Sequence, residues 1–195
     1  MDADDRRRLA NAKHDAATRE LLDRVLSPAA VASGPATDDL AGWVRLLDAD
    51  GTRRGDAAAG ERIFFNEHAA GCARCHQMQG RGARIGPELT ATTGTLTRER
   101  LIESIVRPSK EIAPHFASWL VVTHAGKSLV GMLVHEEPTG EQTYVDSKGE
   151  PFTLHATEIE SRTAQSKSIM PDNLAAQLTG QEFRDLLAYL QAATQ

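Results

Sequence analysis

Cysteine is scarce in this chain: 195 residues carry two. A structural zinc needs four ligands, and no second cysteine pair is there to complete such a site. Aromatic side chains are also few, at 5%, which is thin filling for a core. Basic charge is in deficit, with 22 Lys and Arg against 27 Asp and Glu and a net charge of −5. That balance argues against nucleic acid, which wants a basic patch. No apolar run approaches the ~18–20 residues of a membrane helix, so membrane insertion is not expected. The first residues, Met1-Asp2-Ala3-Asp4-Asp5-Arg6-Arg7-Arg8, contain no apolar stretch of the secretory-signal kind. What remains is the composition of an ordinary globular protein, 41% apolar and 25% charged, long enough for one domain with appendages or two small ones.

The two cysteines stand together in Cys72-Ala73-Arg74-Cys75-His76. This C-x-x-C-H spacing is that of covalent c-type haem attachment. Two thiols three positions apart on one turn can each form a thioether to one of the two haem vinyl groups. The next residue, His76, is then held beneath the porphyrin, where its imidazole can be the proximal iron ligand. A thioredoxin-like redox pair would expect a βαβ setting, whereas Gly- and Arg-rich sequence follows here. A covalent haem would also supply the large flat apolar body that the aromatic-poor core lacks.

The flanks extend the pattern. Gly60-Glu61-Arg62-Ile63-Phe64 precedes the motif, and Gly86-Pro87-Glu88-Leu89-Thr90 follows it. Further on come Ser104-Ile105-Val106-Arg107-Pro108-Ser109-Lys110, then Ser168-Ile169-Met170-Pro171, then an apolar helix pattern from Phe183 to Leu190. In this order the pieces resemble a class I cytochrome c. More narrowly they resemble the haem-binding domains appended to large secreted proteins of Planctomycetes and Verrucomicrobia. The likeness spans residues 55–193.

The resemblance implies a mainly α fold, the class I cytochrome c helices around one covalent haem c with its iron. It implies that the Pro87 carbonyl accepts from the second nitrogen of His76, fixing the tautomer as a ligating histidine requires. It makes Met170 the sixth ligand, with His115 as the alternative. Met78 is too close to His76 in sequence to reach the other haem face. Met132, His124 and His135 fall in strand patterns, and the remaining histidines are 14, 68 and 155. It further implies one-electron transfer with no catalytic residue, and a redox partner protein or a fused dehydrogenase-like domain. Haem attachment of this kind takes place outside the bacterial cytoplasm, so a periplasmic or other extracytoplasmic site is expected. With no leader-like stretch at residue 1, the chain is then expected to be a piece of a larger exported protein. Two rival readings are a haem domain with an open sixth position, and a binding module whose inserted sheet does the work.

Residues 4–26 suit a surface helix and 27–38 a linker. Asp38 or Asp39 can cap a helix on which Leu40, Trp43, Val44 and Leu47 share one face. This makes residues 1–54 a helical extension, with Trp43 as a packing anchor, and 55–195 the haem domain. From Asp56 a helix carries Gly60 and Phe64, and Gly60 marks the close approach of the C-terminal helix. That last helix opens with a Thr179–Glu182 capping box and bears Phe183, Leu186, Leu187 and Leu190 in a stripe. Phe64 and Tyr189 are expected to meet where the two helices cross. Gly80, Gly82 and Gly86 alternate with Arg81 and Arg84, either of which could reach a haem propionate. Thr97 starts a further helix that Pro108 ends. Between Lys110 and Ser168 the sequence departs from a minimal cytochrome: strand-like runs and Gly turns predict a small antiparallel sheet, barrel-like if it curls, inserted at about 116–162.

Overall fold

A computed structural model of the chain describes residues 34–48, 55–66 and 70–192. The helix expected over 4–26 lies outside the described residues. Helix α1 (Leu40–Asp48) begins where Asp39 Oδ1 accepts from the Gly42 backbone N–H at 2.8 Å. Asp56 caps α2 (Ala57–Phe65) by accepting from Ala58 N at 2.9 Å. A turn of 3₁₀ helix over Cys72–Arg74 leads into a two-residue ladder of β1 (Gln77–Met78) and β2 (Arg81–Gly82). Helices α3 (Leu89–Thr95) and α4 (Arg98–Val106) follow, capped by Glu88 and Thr97. The C-terminal helix α5 (Gly180–Ala192) opens on the expected box: Thr179 Oγ1 accepts from Glu182 N, and Glu182 Oε2 accepts from Thr179 N.

These helices share one core. The α5 stripe of Phe183, Leu186, Leu187 and Leu190 is buried, with Phe64, Leu101, Ile102, Val106 and Leu178 around it. Each such side chain contributes roughly 1.5–3 kcal/mol on leaving water. Helices α2 and α5 cross so closely that a Cβ on Gly60 would stand 2.0 Å from the Asp185 carbonyl oxygen. Phe64 and Tyr189 meet at this crossing, with ring centroids 5.6 Å apart. Helix α1 belongs to the same core. Trp43 packs edge-on against Phe183 at 5.9 Å, and buried Arg184 donates to the Leu47 and Leu46 carbonyls at 2.8 and 2.9 Å. An arginine there satisfies carbonyls that the end of α1 leaves without helical partners.

The expectation of a mainly α fold is corrected by what lies between α4 and α5. Strands β3 (Ser118–Thr123), β4 (Ser128–Glu136), β5 (Glu141–Val145), β6 (Pro151–His155) and β7 (Ile159–Ala164) form a five-stranded antiparallel sheet ordered β6-β5-β4-β3-β7. It has its own core of Val121, Tyr144 and Leu154, with Trp119, Leu129, Leu133, Phe152 and Ile159 against them. Among the described residues there are five α-helices, and all but α5 are short, so the sheet is a principal part of the fold. The architecture is α and β in separate layers, each with its own apolar cluster.

The sheet begins and ends two residues later than expected. Val121 and Tyr144 are fully buried by sheet side chains, which requires a curled sheet. A register shift between Leu133 and His135 bends β4, as an added residue in one strand does. Edge strands β6 and β7 are joined by a single 3₁₀ turn, Ala156–Glu158, which His155 and Glu158 cap. Inside, the Tyr144 hydroxyl donates to Gln142 Oε1 at 2.7 Å, and Gln142 Nε2 donates to Glu136 Oε1 at 2.7 Å, so the buried polar atoms are paired.

Candidate functional site

The C-x-x-C-H segment enters its turn through Gly71, whose φ of 59° is left-handed. Within the turn Cys75 N and His76 N both donate to the Cys72 carbonyl, at 3.1 and 2.9 Å. The segment after β2 is laced back onto it: Ala83 N donates to Ala73 O at 2.9 Å, while Ile85 N and Gly86 N donate to Cys75 O at 3.0 and 2.7 Å. This lacing delivers Pro87 to the histidine. His76 Nδ1 lies 2.9 Å from the Pro87 carbonyl oxygen, which can only accept, so Nδ1 carries the proton. Nε2 is left as the lone-pair nitrogen.

Gly86 is what lets the backbone come this near. A Cβ there would stand 2.6 Å from His76 Cε1 and 2.9 Å from Nδ1. Burial lowers the His76 pKa, against the opposing bond to Pro87, and so favours the neutral ligand form. Both cysteines are free thiols, half-buried, with no disulfide between them. Burial pushes the Cys72 thiol up to about 12. It raises Cys75 as well, against the lowering effect of the Arg74 charge, and the Asp146 carboxylate adds to the rise.

Four of the expected site residues, Cys72, Cys75, His76 and Pro87, are thus assembled by one knot of backbone hydrogen bonds. Met170 lies on a separate segment, half-buried against the helical core that Cys72 also borders. Its backbone N–H donates to Ser168 Oγ at 3.1 Å, and Ser168 N donates to Ser109 Oγ at 3.2 Å. The Ser109 hydroxyl in turn donates to Asp172 Oδ1 at 3.2 Å. Ser109 lies in the loop just after α4, the helix on which Glu103, buried at 4% exposure, is ion-paired with Arg100, Arg107 and Lys110. These partners, Lys110 foremost, keep its carboxyl below the usual range. The two serines went unrecognised in the sequence as supports for Met170. Their signal lay in the motifs Arg107-Pro108-Ser109-Lys110 and Ser168-Ile169-Met170-Pro171, which carry the bonded serines, one in each.

Met78 is fully buried in the helical core, and Met132 is buried in the sheet. His115 is exposed, its ring 4.0 Å from that of Phe116, while His124, His135 and His155 are exposed on the sheet unit. His14 and His68 lie outside the described residues. The two arginines proposed for a propionate have protein partners. Arg81 pairs with Glu61 at 2.5 Å and sits 4.0 Å above the Phe65 ring, and Arg84 Nε donates to Gln77 Oε1 at 3.0 Å.

Among the described residues no group of three or more His, Cys, Asp and Glu is gathered to hold a metal ion by side chains alone. A haem iron does not need one, because the porphyrin supplies four nitrogens and the protein only the axial ligands. The donor set present fits that requirement: two free thiols, a neutral imidazole with its far nitrogen tied to a carbonyl, and a thioether on a braced segment. Among the described residues no helix is long and apolar enough to cross a membrane. No protein-family model matches this chain, and comparison with curated proteins gives no match either.

Proposed function

We propose that this chain holds one covalent haem c through Cys72 and Cys75, with His76 and Met170 as axial ligands, and serves one-electron transfer. The observation that carries the reading is the 2.9 Å bond from His76 Nδ1 to the Pro87 carbonyl within a C-x-x-C-H turn, with Gly86 pressed against the ring. When bound, the haem iron supplies the one-electron chemistry. His76 contributes Nε2 as a neutral donor, and Pro87 fixes the ring orientation and raises its basicity. Met170 offers a soft, neutral sulfur, which favours Fe(II). Pro171 restricts the Met170 backbone to extended conformations, and Ser168 holds its N–H. The His76 ring and the Met170 backbone would thereby be held in place to receive the haem.

The redox partner is a separate protein or a fused dehydrogenase-like domain, and the setting is extracytoplasmic, where thioether attachment occurs. A potentiometric titration of the haem-loaded chain should give one reversible one-electron wave, low-spin at both ends, with slow cyanide binding. High-spin iron that takes up cyanide at once would favour an open sixth position instead.

A further inference from the structure

One turn of the sheet lies beside the attachment motif. A Cβ on Gly149, in the turn between β5 and β6, would stand 3.7 Å from Cys75 Sγ and 3.6 Å from the Arg74 carbonyl oxygen. That turn is rigid. Asp146 Oδ1 accepts from Lys148 N at 2.8 Å and from Glu150 N at 3.0 Å. Gly149 N donates to Asp146 O at 3.0 Å, and Gly149 holds a φ of 83° that suits glycine.

A second observation bears on the same seat. Ser118, Met132 and Val145 are paired across three neighbouring strands and are all buried, at 1%, 3% and 3% exposure. They stand on the face opposite the sheet's own core, since Val121 and Tyr144 project the other way. Chain outside that face of the sheet must cover the row, and its last member, Val145, directly precedes Asp146. At the other end of the row, Ser118 Oγ donates to the Lys167 carbonyl just before Met170.

We propose that the β5–β6 turn closes the Cys75 corner of the haem site and places the Asp146 carboxylate there as a fixed negative charge that lowers the haem potential. This rests on the haem reading above. Cys75 Sγ is the atom that bonds the haem side chain, so whatever packs against it packs beside the haem edge. Ferric haem carries one more positive charge than ferrous haem, and a nearby carboxylate stabilises the ferric form. The carboxylate is held by two backbone N–H groups, so its charge stays in place through the redox change. Asp146 is therefore a positioning residue of the sheet that acts on the iron through space.

The test is the midpoint potential of the haem-loaded chain. Asp146→Asn keeps an oxygen to accept the two turn N–H groups and removes the charge. Its potential should rise above wild type, and the difference should shrink as salt screens the charge. Asp146→Ser, with a shorter turn acceptor, should move the same way and serves if the Asn variant loads poorly. Covalent haem present with both midpoints unmoved, or moved down, overturns the inference and leaves the haem reading standing. A wild-type chain without covalent haem overturns both.

Discussion

Met170→Ala is expected to lower the midpoint potential by on the order of 100 mV or more, given how widely axial ligation spreads haem potentials. Thioether sulfur prefers Fe(II), so its removal destabilises the reduced form. The freed position should take water or a foreign ligand, giving high-spin iron and fast cyanide binding. The neighbours do not provide a ready substitute: Met132 is buried in the sheet, and His115 is exposed beside Phe116. Met132→Ala and His115→Ala should leave the spectrum unchanged. If Met170→Ala keeps the wild-type spectrum and potential while either of the others loses them, the ligand assignment is wrong.

Gly60→Ala pits two effects against each other. In a helix interior alanine is better than glycine by about 1 kcal/mol. At this position its Cβ would stand 2.0 Å from the Asp185 carbonyl oxygen and 2.8 Å from Tyr189 Cβ. The obstacle is backbone of α5, which cannot swing aside as a side-chain tip would. Overpacking of this kind costs ~1–3 kcal/mol and occasionally more. A rigid crossing belongs at the upper end, so clash should win by about 2 kcal/mol. The crossing also fixes Phe64 against Tyr189 and Asp185 against Asp56, whose N–H donates to Asp185 Oδ1 at 2.8 Å. Denaturant unfolding followed by circular dichroism should show a lower midpoint with an unchanged slope. A midpoint equal to or above wild type would mean that the helices do not cross where Gly60 places them.

Much of the helical half was legible because its signals are local. The Thr179–Glu182 box, the Asp56 and Thr97 caps and the Phe183-to-Leu190 stripe each sit within a few residues of what they control. Strands β4 and β6 were also readable, since Gly126 and Gly149 mark turns beside runs of alternating residues. Helix α3 was not. Its sequence, Leu-Thr-Ala-Thr-Thr-Gly-Thr, has low helix propensity. It is held by Glu88 at its start and by Thr92 and Thr93 hydroxyls donating to the Glu88 and Leu89 carbonyls.

Within the site, Cys72, Cys75 and His76 are contiguous and were plain. Pro87 was found by resemblance, and its bond to His76 depends on the strap of backbone hydrogen bonds from Ala83 to Gly86. The seating of Gly149 on Cys75 was hidden. It joins residues far apart in sequence through a sheet whose docking no local pattern encodes. The weight of that sheet in the fold was underestimated for the same reason: its core is formed by pairing across strands, not within any one of them.

Covalent attachment of haem to Cys72 and Cys75 can be read from the intact mass of the fully denatured chain, produced in a host that matures c-type haem. A mass increase of one haem per chain is expected, carried on the peptide containing Cys72–His76 and absent from the Cys72→Ala, Cys75→Ala double variant. A denatured wild-type chain at its bare polypeptide mass, with haem released into solution, would contradict it.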